Sequence, residues 1–328
     1  MPHDEMISQA NDATGKSWVM GDEHRLRKKG VGQGLHTSGC ISSTSGWLDE
    51  GCEILEYGKN HGGFWTGELF VKQVKLSELQ KQSLNLIALY VQLKEKIIPA
   101  FEAAHGAGYQ ALFLIDNSQG HSTYGEDALL ISRMNIKPGG KQARMCNGWY
   151  IRNGVRVSQP MVYPGNHPDH PDTPKGIKAV LVERGLWQQQ LRGKCKKACK
   201  PDANACCNKH VLERQPDFSE QKSLVQETIE AAGHVCLFLP KFHCELNFIE
   251  FFWGMVKKYL RDNCDYTFDT LKENLPKALH SIHIHTIRRW EHQMFRWIEA
   301  YLLERATASA WHTRVLSCDS HCCTTLHM

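Results

Sequence analysis

Apolar residues fall into two kinds of pattern along the chain. Ala111–Ile115 and Val235–Leu239 are short apolar runs bounded by glycine, proline or polar turn residues, and Leu35–Ile41 follows the glycines at 30, 32 and 34 as a further strand candidate. The two apolar runs predict strands buried on both faces. Residues 1–41, with a turn cluster at Asn11–Gly15 and glycines at 30, 32 and 34, predict an antiparallel meander. Residues 67–104 nearly lack Gly and Pro and carry Leu76, Leu79, Leu84, Ile87, Leu89, Ile97, Ile98 and Phe101 at helical spacing, which predicts one or two helices. Further helices are predicted from Pro216 to about Ala232 with Asp217 in the first turn, over Asn247–Leu260, and over Ile284–Leu303. The last has one stripe of Ile284, Ile287, Trp290, Met294, Trp297, Ile298 and Tyr301. Residues 135–215 are rich in Gly, Pro, Lys and Cys without periodicity and read as an insertion, not core. Strands first, then helices alternating with two buried strands, make an α/β plan with a mixed sheet.

Composition narrows the class. In 328 residues, 41% are hydrophobic and 23% charged, which excludes wholesale disorder and fibrous architectures. No apolar run approaches the ~18 residues of a membrane span, and the polar opening Met1–Glu5 is no signal peptide. A net charge of +4 permits a nucleic-acid partner without demanding one. Thirteen cysteines without a secretory signal read as reduced thiols or metal ligands. Cys195, Cys199, Cys206 and Cys207 share one short Lys-rich segment, with His210 nearby. Zinc needs four tetrahedral N/S ligands, and the side chains of adjacent Cys206 and Cys207 are expected to diverge. Zinc and a Lys-rich loop with incidental thiols therefore both fit.

Two acids follow the buried strands: Asp116 directly after 111–115, and Glu250 in the first turn of the helix after 235–239. Ligand sites in α/β sheets gather at strand C-termini, although a turn cap and a helix-dipole partner explain the same positions. Asp4 adds a third carboxylate. Three acids on adjacent strands and one helix can hold two hard divalent cations, which clamp the attacking and leaving oxygens of an in-line phosphoryl displacement.

Leu114-Ile115-Asp116-Asn117-Ser118, with His121 after it, resembles the second-aspartate motif of DDE transposases. Leu239-Pro240-Lys241-Phe242-His243-Cys244-Glu245-Leu246-Asn247-Phe248-Ile249-Glu250, followed by Trp253, resembles the third-acid motif of their mariner-type members, with Cys244-Glu245 where that motif has Pro-Asp. His3-Asp4-Glu5 through Gly34 resembles the first-aspartate segment. The chain resembles a fungal group of DDE superfamily endonucleases over most of residues 1–305. The resemblance implies an RNase H-like mixed sheet flanked by helices, with the Cys/Lys-rich insertion before the last catalytic helix. It implies Asp4, Asp116 and Glu250 as catalytic ligands of Mg²⁺ or Mn²⁺, supported by Asn117, His121 and Asn247. It implies nicking of DNA by water, then strand transfer through a 3′ hydroxyl, in a nuclear protein. A homodimer is a further expectation.

The expected division is residues 1–134 and 216–305 as two parts of the DDE domain, 135–215 as an insertion with a zinc candidate, and 306–328 as a disordered tail. Residues 75–93 look like a second insertion. Met1, Pro2 and His3 are not expected to complete a central strand, since proline cannot donate to a ladder; the chain then reads as a catalytic domain truncated at its N-terminus. Basic clusters at Arg25–Lys29, at Lys194, Lys196, Lys197 and Lys200, and at Arg288, Arg289, His292 and Arg296 are candidate phosphate contacts. Two other readings use the same residues: an inactive transposon remnant that at most binds nucleic acid, and a zinc-binding interaction module.

Overall fold

A computed structural model describes residues 1–12, 30–57, 89–118, 121, 123–195 and 206–306. It divides into two compact units, Met1–Thr123 with Val225–Met328, and Tyr124–Leu224. The second is wider at both ends than the segment 135–215. Arg25–Lys29, residues 75–88, Lys196, Lys197, Cys199, Lys200 and 307–328 lie outside the described residues.

In the first unit, β1 (Pro2–Gln9), β2 (Gly34–Ser42), β3 (Gly46–Trp47), β4 (Glu53–Tyr57), β5 (Leu112–Ile115) and, much later, β8 (Val235–Phe238) form one mixed sheet. Its order is β3-β2-β1-β5-β8, with β4 also on β2. β1, β2 and β4 are antiparallel, while β1–β5 and β5–β8 are parallel. Asp4 stands opposite Gly39 in β2, and Pro2 and His3 stand opposite Leu114 and Ile115 in β5.

This corrects the expectation that Met1–His3 cannot supply the central strand. The Met1 ammonium donates to the Leu112 carbonyl at 2.7 Å, and Leu114 N–H donates to the Met1 carbonyl at 2.9 Å. Pro2 precedes the first β1–β2 pair, His3–Cys40, so its missing N–H leaves no gap in that ladder.

The side-chain alternation of the strands divides two cores. Met6, Leu35, Ile41 and Leu114 belong to one, which is completed by α6 (Ile249–Asn263), α7 (Phe268–His280) and α8 (Ile284–Ala306). Cys40, Phe113 and Ile115 belong to the other, with α1 (Ile98–His105), the π-helical turn Leu93–Ile97 before it, and α5 (Leu224–Ala231). Leu89 and Leu93, from the stretch read as a second insertion, are part of this core. Buried Gln92 accepts from Ser38 Oγ and donates to the carbonyls of Ser38 and Gly51.

Two strand and helix expectations are corrected. Among the described residues β8 ends the sheet, and Val235 and Leu237, which alternation places on one face, are exposed, so that face of the strand is uncovered. The helix expected over 216–232 is two, α4 (Pro216–Ser219) and α5, separated by the polar run Glu220–Ser223. The predicted stripe of the last helix holds: Ile287 and Met294 are buried, and Trp290, Trp297, Ile298 and Tyr301 pack against the core.

The ring of Trp47 stacks on Phe252 at 5.2 Å and meets Trp253 edge-on at 5.7 Å. A Cβ added at Gly39 would lie 2.3 Å from Trp47 Cη2. A ring held on two sides cannot give way, so Gly39→Ala is expected to cost about 1–3 kcal/mol by overpacking. Chemical denaturation followed by tryptophan fluorescence measures this, and unchanged stability would show that the Trp47 ring is free to move.

The second unit has a core of its own, where residues 135–215 read as an insertion and not core. Leu129, Ile131, Met134, Met145, Met161, Ile177, Val180, Leu181, Leu212 and Phe218 pack together. They join the hairpin β6 (Gly148–Arg152)–β7 (Val155–Gln159), α2 (Ile177–Arg184), α3 (Asn208–Glu213) and α4. Asn153 and Gly154 turn the hairpin at φ of 51° and 79°, the Asn-Gly pair that a two-residue turn of this hand requires. Among the described residues, no helix is long and apolar enough to cross a membrane.

Candidate functional site

The sheet and α6 bring the three predicted acids together. Asp4 shares the β1 face of Met6, which packs under α6. Asp116 follows Ile115 at the end of β5, so the alternation returns it to the face of Leu114. On α6, Ile249, Phe252, Trp253, Val256 and Leu260 form the buried stripe, which fixes the rotation of the helix and aims Glu250 from its first turn. Asp4, Asp116 and Glu250 line one cleft of about 400 Å³, with Asn117, Ser118, Asn247, Lys241 and His243 among its walls.

The carboxyls are electrostatically frustrated. Burial, then the charge of Glu250, holds the Asp4 carboxyl well above the usual carboxylate range, and Asp116 adds to the effect. Glu250 is raised by burial and by Asp116, against the pull of Lys257 and of its hydrogen bond with Asp4. Asn247 is 4% exposed, and its Oδ1 has no hydrogen-bond partner. The site thus offers three carboxylates and one buried amide oxygen. These oxygens suit a hard cation, and a divalent ion there would relieve the mutual repulsion.

The other predicted residues have separate places. His121 is buried with Nδ1 against the Asp116 carboxylate. Burial opposes its charge, but the hydrogen bond and charge of Asp116 outweigh that and raise its pKa. Asn117 and Asn247 line the cleft. Glu245 is not among the cleft residues: its Oε1 accepts from His243 Nδ1 at 2.7 Å and from the Tyr301 hydroxyl of α8, pinning the loop before α6.

Sequence reasoning missed His3. It lies fully buried, bonded to Ser38 Oγ at 3.0 Å and edge-on to His121 at 5.7 Å. Burial, helped by the charge of His121, pulls its pKa down to about 3, so it packs there as neutral imidazole. Lys241 and His243 were also missed as cleft residues. Both lie inside the third-acid motif, yet only the folded loop turns them inward.

Of the basic clusters, Lys194 donates to the Met134 carbonyl at 2.8 Å and serves the second unit internally. Arg288 donates to the Ser43 carbonyl at 2.8 Å, while His292 and Arg296 are exposed on α8. In the second unit, the sulfurs of Cys195, Cys206 and Cys207 lie within 4.8 Å of one another, a group able to hold a metal ion. Adjacency of Cys206 and Cys207 does not keep them apart.

Comparison of the chain with protein-family models, with curated proteins and with solved structures finds no match.

Proposed function

We propose that the first unit is a DDE-type nuclease domain with an RNase H-like fold, which cuts DNA by metal-dependent phosphoryl transfer. One observation carries the reading: three acids far apart in sequence, from β1, the end of β5 and the first turn of α6, meet in one cleft. The mixed sheet, with Asp4 on an inner strand, agrees with the fold that the transposase resemblance implies.

Asp4, Asp116 and Glu250 would hold Mg²⁺ or Mn²⁺. When bound, such ions orient the scissile phosphate and make water nucleophilic near neutral pH. The chain's own groups prepare the site. His121 fixes the orientation of the Asp116 carboxylate, as outer partners of metal ligands do. The Glu245–Tyr301 contact holds the loop that carries Lys241 and His243 to the cleft. Lys241 supplies a cation for a backbone phosphate, as does Arg296 on α8; contacts of this kind give affinity without base sequence.

The test is nicking of supercoiled plasmid in Mg²⁺ or Mn²⁺ by wild type, Asp116→Ala and Glu250→Ala, with circular dichroism as the folding control. Wild type is expected to nick only with metal, and both variants to lose at least about 100-fold. A folded wild-type protein inactive with both metals would overturn the reading in favour of an inactive remnant.

A further inference from the structure

The thiol cluster of the second unit stands outside the nuclease site, and its chemistry does not depend on the nuclease reading. Three sulfurs within 4.8 Å of one another are already close to the spacing of zinc ligands. Tetrahedral zinc with Zn–S bonds of about 2.3 Å places its sulfurs about 3.8 Å apart. A fourth donor stands next to one of them: His210 Nδ1 is 3.4 Å from Cys206 Sγ, although it is outside the set of atoms mutually within 4.8 Å. A sulfur and a nitrogen on one tetrahedral zinc are separated by about 3.6 Å. Cys207 and His210 are buried, and Cys195 and Cys206 half-buried, so the group is shielded as structural sites are.

The frame around the cluster is built by other bonds. Asn208 N–H donates to the Arg192 carbonyl at 2.8 Å and Lys209 N–H to the Gly193 carbonyl at 2.9 Å. The fully buried Asn208 side chain accepts from Gln188 N–H and donates to the carbonyls of Gln188 and Leu191. These bonds hold the segment ending at Cys195 against the start of α3, where Cys206, Cys207 and His210 sit. On this backbone, rotation of the His210 and cysteine side chains would bring the four donors onto one ion.

We propose that Cys195, Cys206, Cys207 and His210 form a structural Zn²⁺ site. Such a Cys3His donor set is soft, unlike the carboxylates of the cleft, and with four protein ligands it would leave no open position for catalysis. On binding, the three thiols release three protons to solvent and the imidazole coordinates through Nδ1. The ion ties together the two ends of the segment 196–205.

Metal content and cobalt substitution on the whole chain, kept reduced, test this. Wild type is expected to carry one zinc per chain and, loaded with Co²⁺ alone, to show thiolate-to-cobalt charge transfer and intense tetrahedral d–d bands. Cys206→Ser and Cys207→Ser should lose the stoichiometric metal. His210→Ala should bind zinc on the order of 100-fold more weakly and shift the d–d bands. Cys199→Ser should leave stoichiometry and spectrum unchanged. The wild-type spectrum is independent of whether any variant folds. Folded, reduced wild type that takes up neither zinc nor cobalt, or that has a disulfide within the cluster in place of metal, overturns the site. A spectrum altered by Cys199→Ser and not by His210→Ala overturns the ligand set.

Discussion

Asp4→Asn is expected to reduce metal-dependent nicking by at least about 100-fold, as is expected for loss of either other acid, while making the metal-free protein more stable. The two effects have one cause. Asp4 is buried beside Glu250 and Asp116, and its carboxyl is held well above the usual range by burial first and by Glu250 next. Without a cation, the folded state must either keep a proton on Asp4 or tolerate the repulsion. The amide keeps the shape and removes that penalty, a gain of about 1 kcal/mol. For a unit of this size the gain corresponds to a melting point roughly 2–4 °C higher.

The sign with pH follows from linkage. A carboxyl whose folded pKa is raised binds its proton more tightly when folded, so it costs nothing below the unfolded pKa, and the cost grows as pH rises from there to the folded pKa. The melting gain of Asp4→Asn should vanish near pH 4 and increase toward neutrality. Mg²⁺ or Mn²⁺ should stabilise wild type and not the variant. Calorimetry of both proteins from pH 4 to 8, with and without metal, measures this. Equal melting points across that range would mean that Asp4 is not frustrated by its neighbours.

Arg184→Met is expected to destabilise the second unit by about 3–5 kcal/mol. Arg184 and Asp217 have fully buried side chains, and the guanidinium meets the carboxylate with both arms, at 2.9 and 2.6 Å. Asp217 also accepts from Trp149 N–H at 2.9 Å, and Arg184 Nε donates to Gln159 Oε1 at 2.8 Å. The pair thus ties α2 and α4 to the β6–β7 hairpin. Gly148 leaves the space it needs, since a Cβ there would lie 2.5 Å from Asp217 Oδ2. Removing the cation leaves a carboxylate buried and unpaired, which is why the single change costs far more than an exposed ion pair would. The double variant Arg184→Met/Asp217→Leu should recover most of the loss, because apolar pairs of similar volume replace buried ion pairs at little cost. Hydrogen exchange at the hairpin amides reads the effect locally. Slow exchange retained in Arg184→Met would show that the hairpin stands without the pair.

Local pattern made much of the first unit legible. The segments 35–41 and 111–115 became β2 and β5 within a residue or so: the apolar run of β5 suits a strand with both faces covered, while β2 was marked by the glycines before it. The stripe from Ile249 to Leu260 announced α6 and with it the direction of Glu250. The run at 235–239 looked the same as 111–115, but short apolar runs do not say whether a strand is inner or at the edge. Signals were also present and unread. Asn153-Gly154 between alternating residues marks the β6–β7 hairpin, and Leu271, Leu275, Ala278 and Leu279 behind the Thr267 cap mark α7.

The sequence by itself determined the α/β class, the strand that Asp116 follows, the helix that carries Glu250, and the grouping of cysteines near residue 200, because each depends on neighbours within a few residues. Only the tertiary structure decided that the three acids share one cleft, that β1 pairs with β5 from Met1 onward, that Asp217 is the buried partner of Arg184 instead of a helix-dipole charge, and that His210 stands beside Cys206. Charge repulsion, ladder pairing and desolvation act between atoms that the chain separates by tens to hundreds of residues. No local pattern carries those distances.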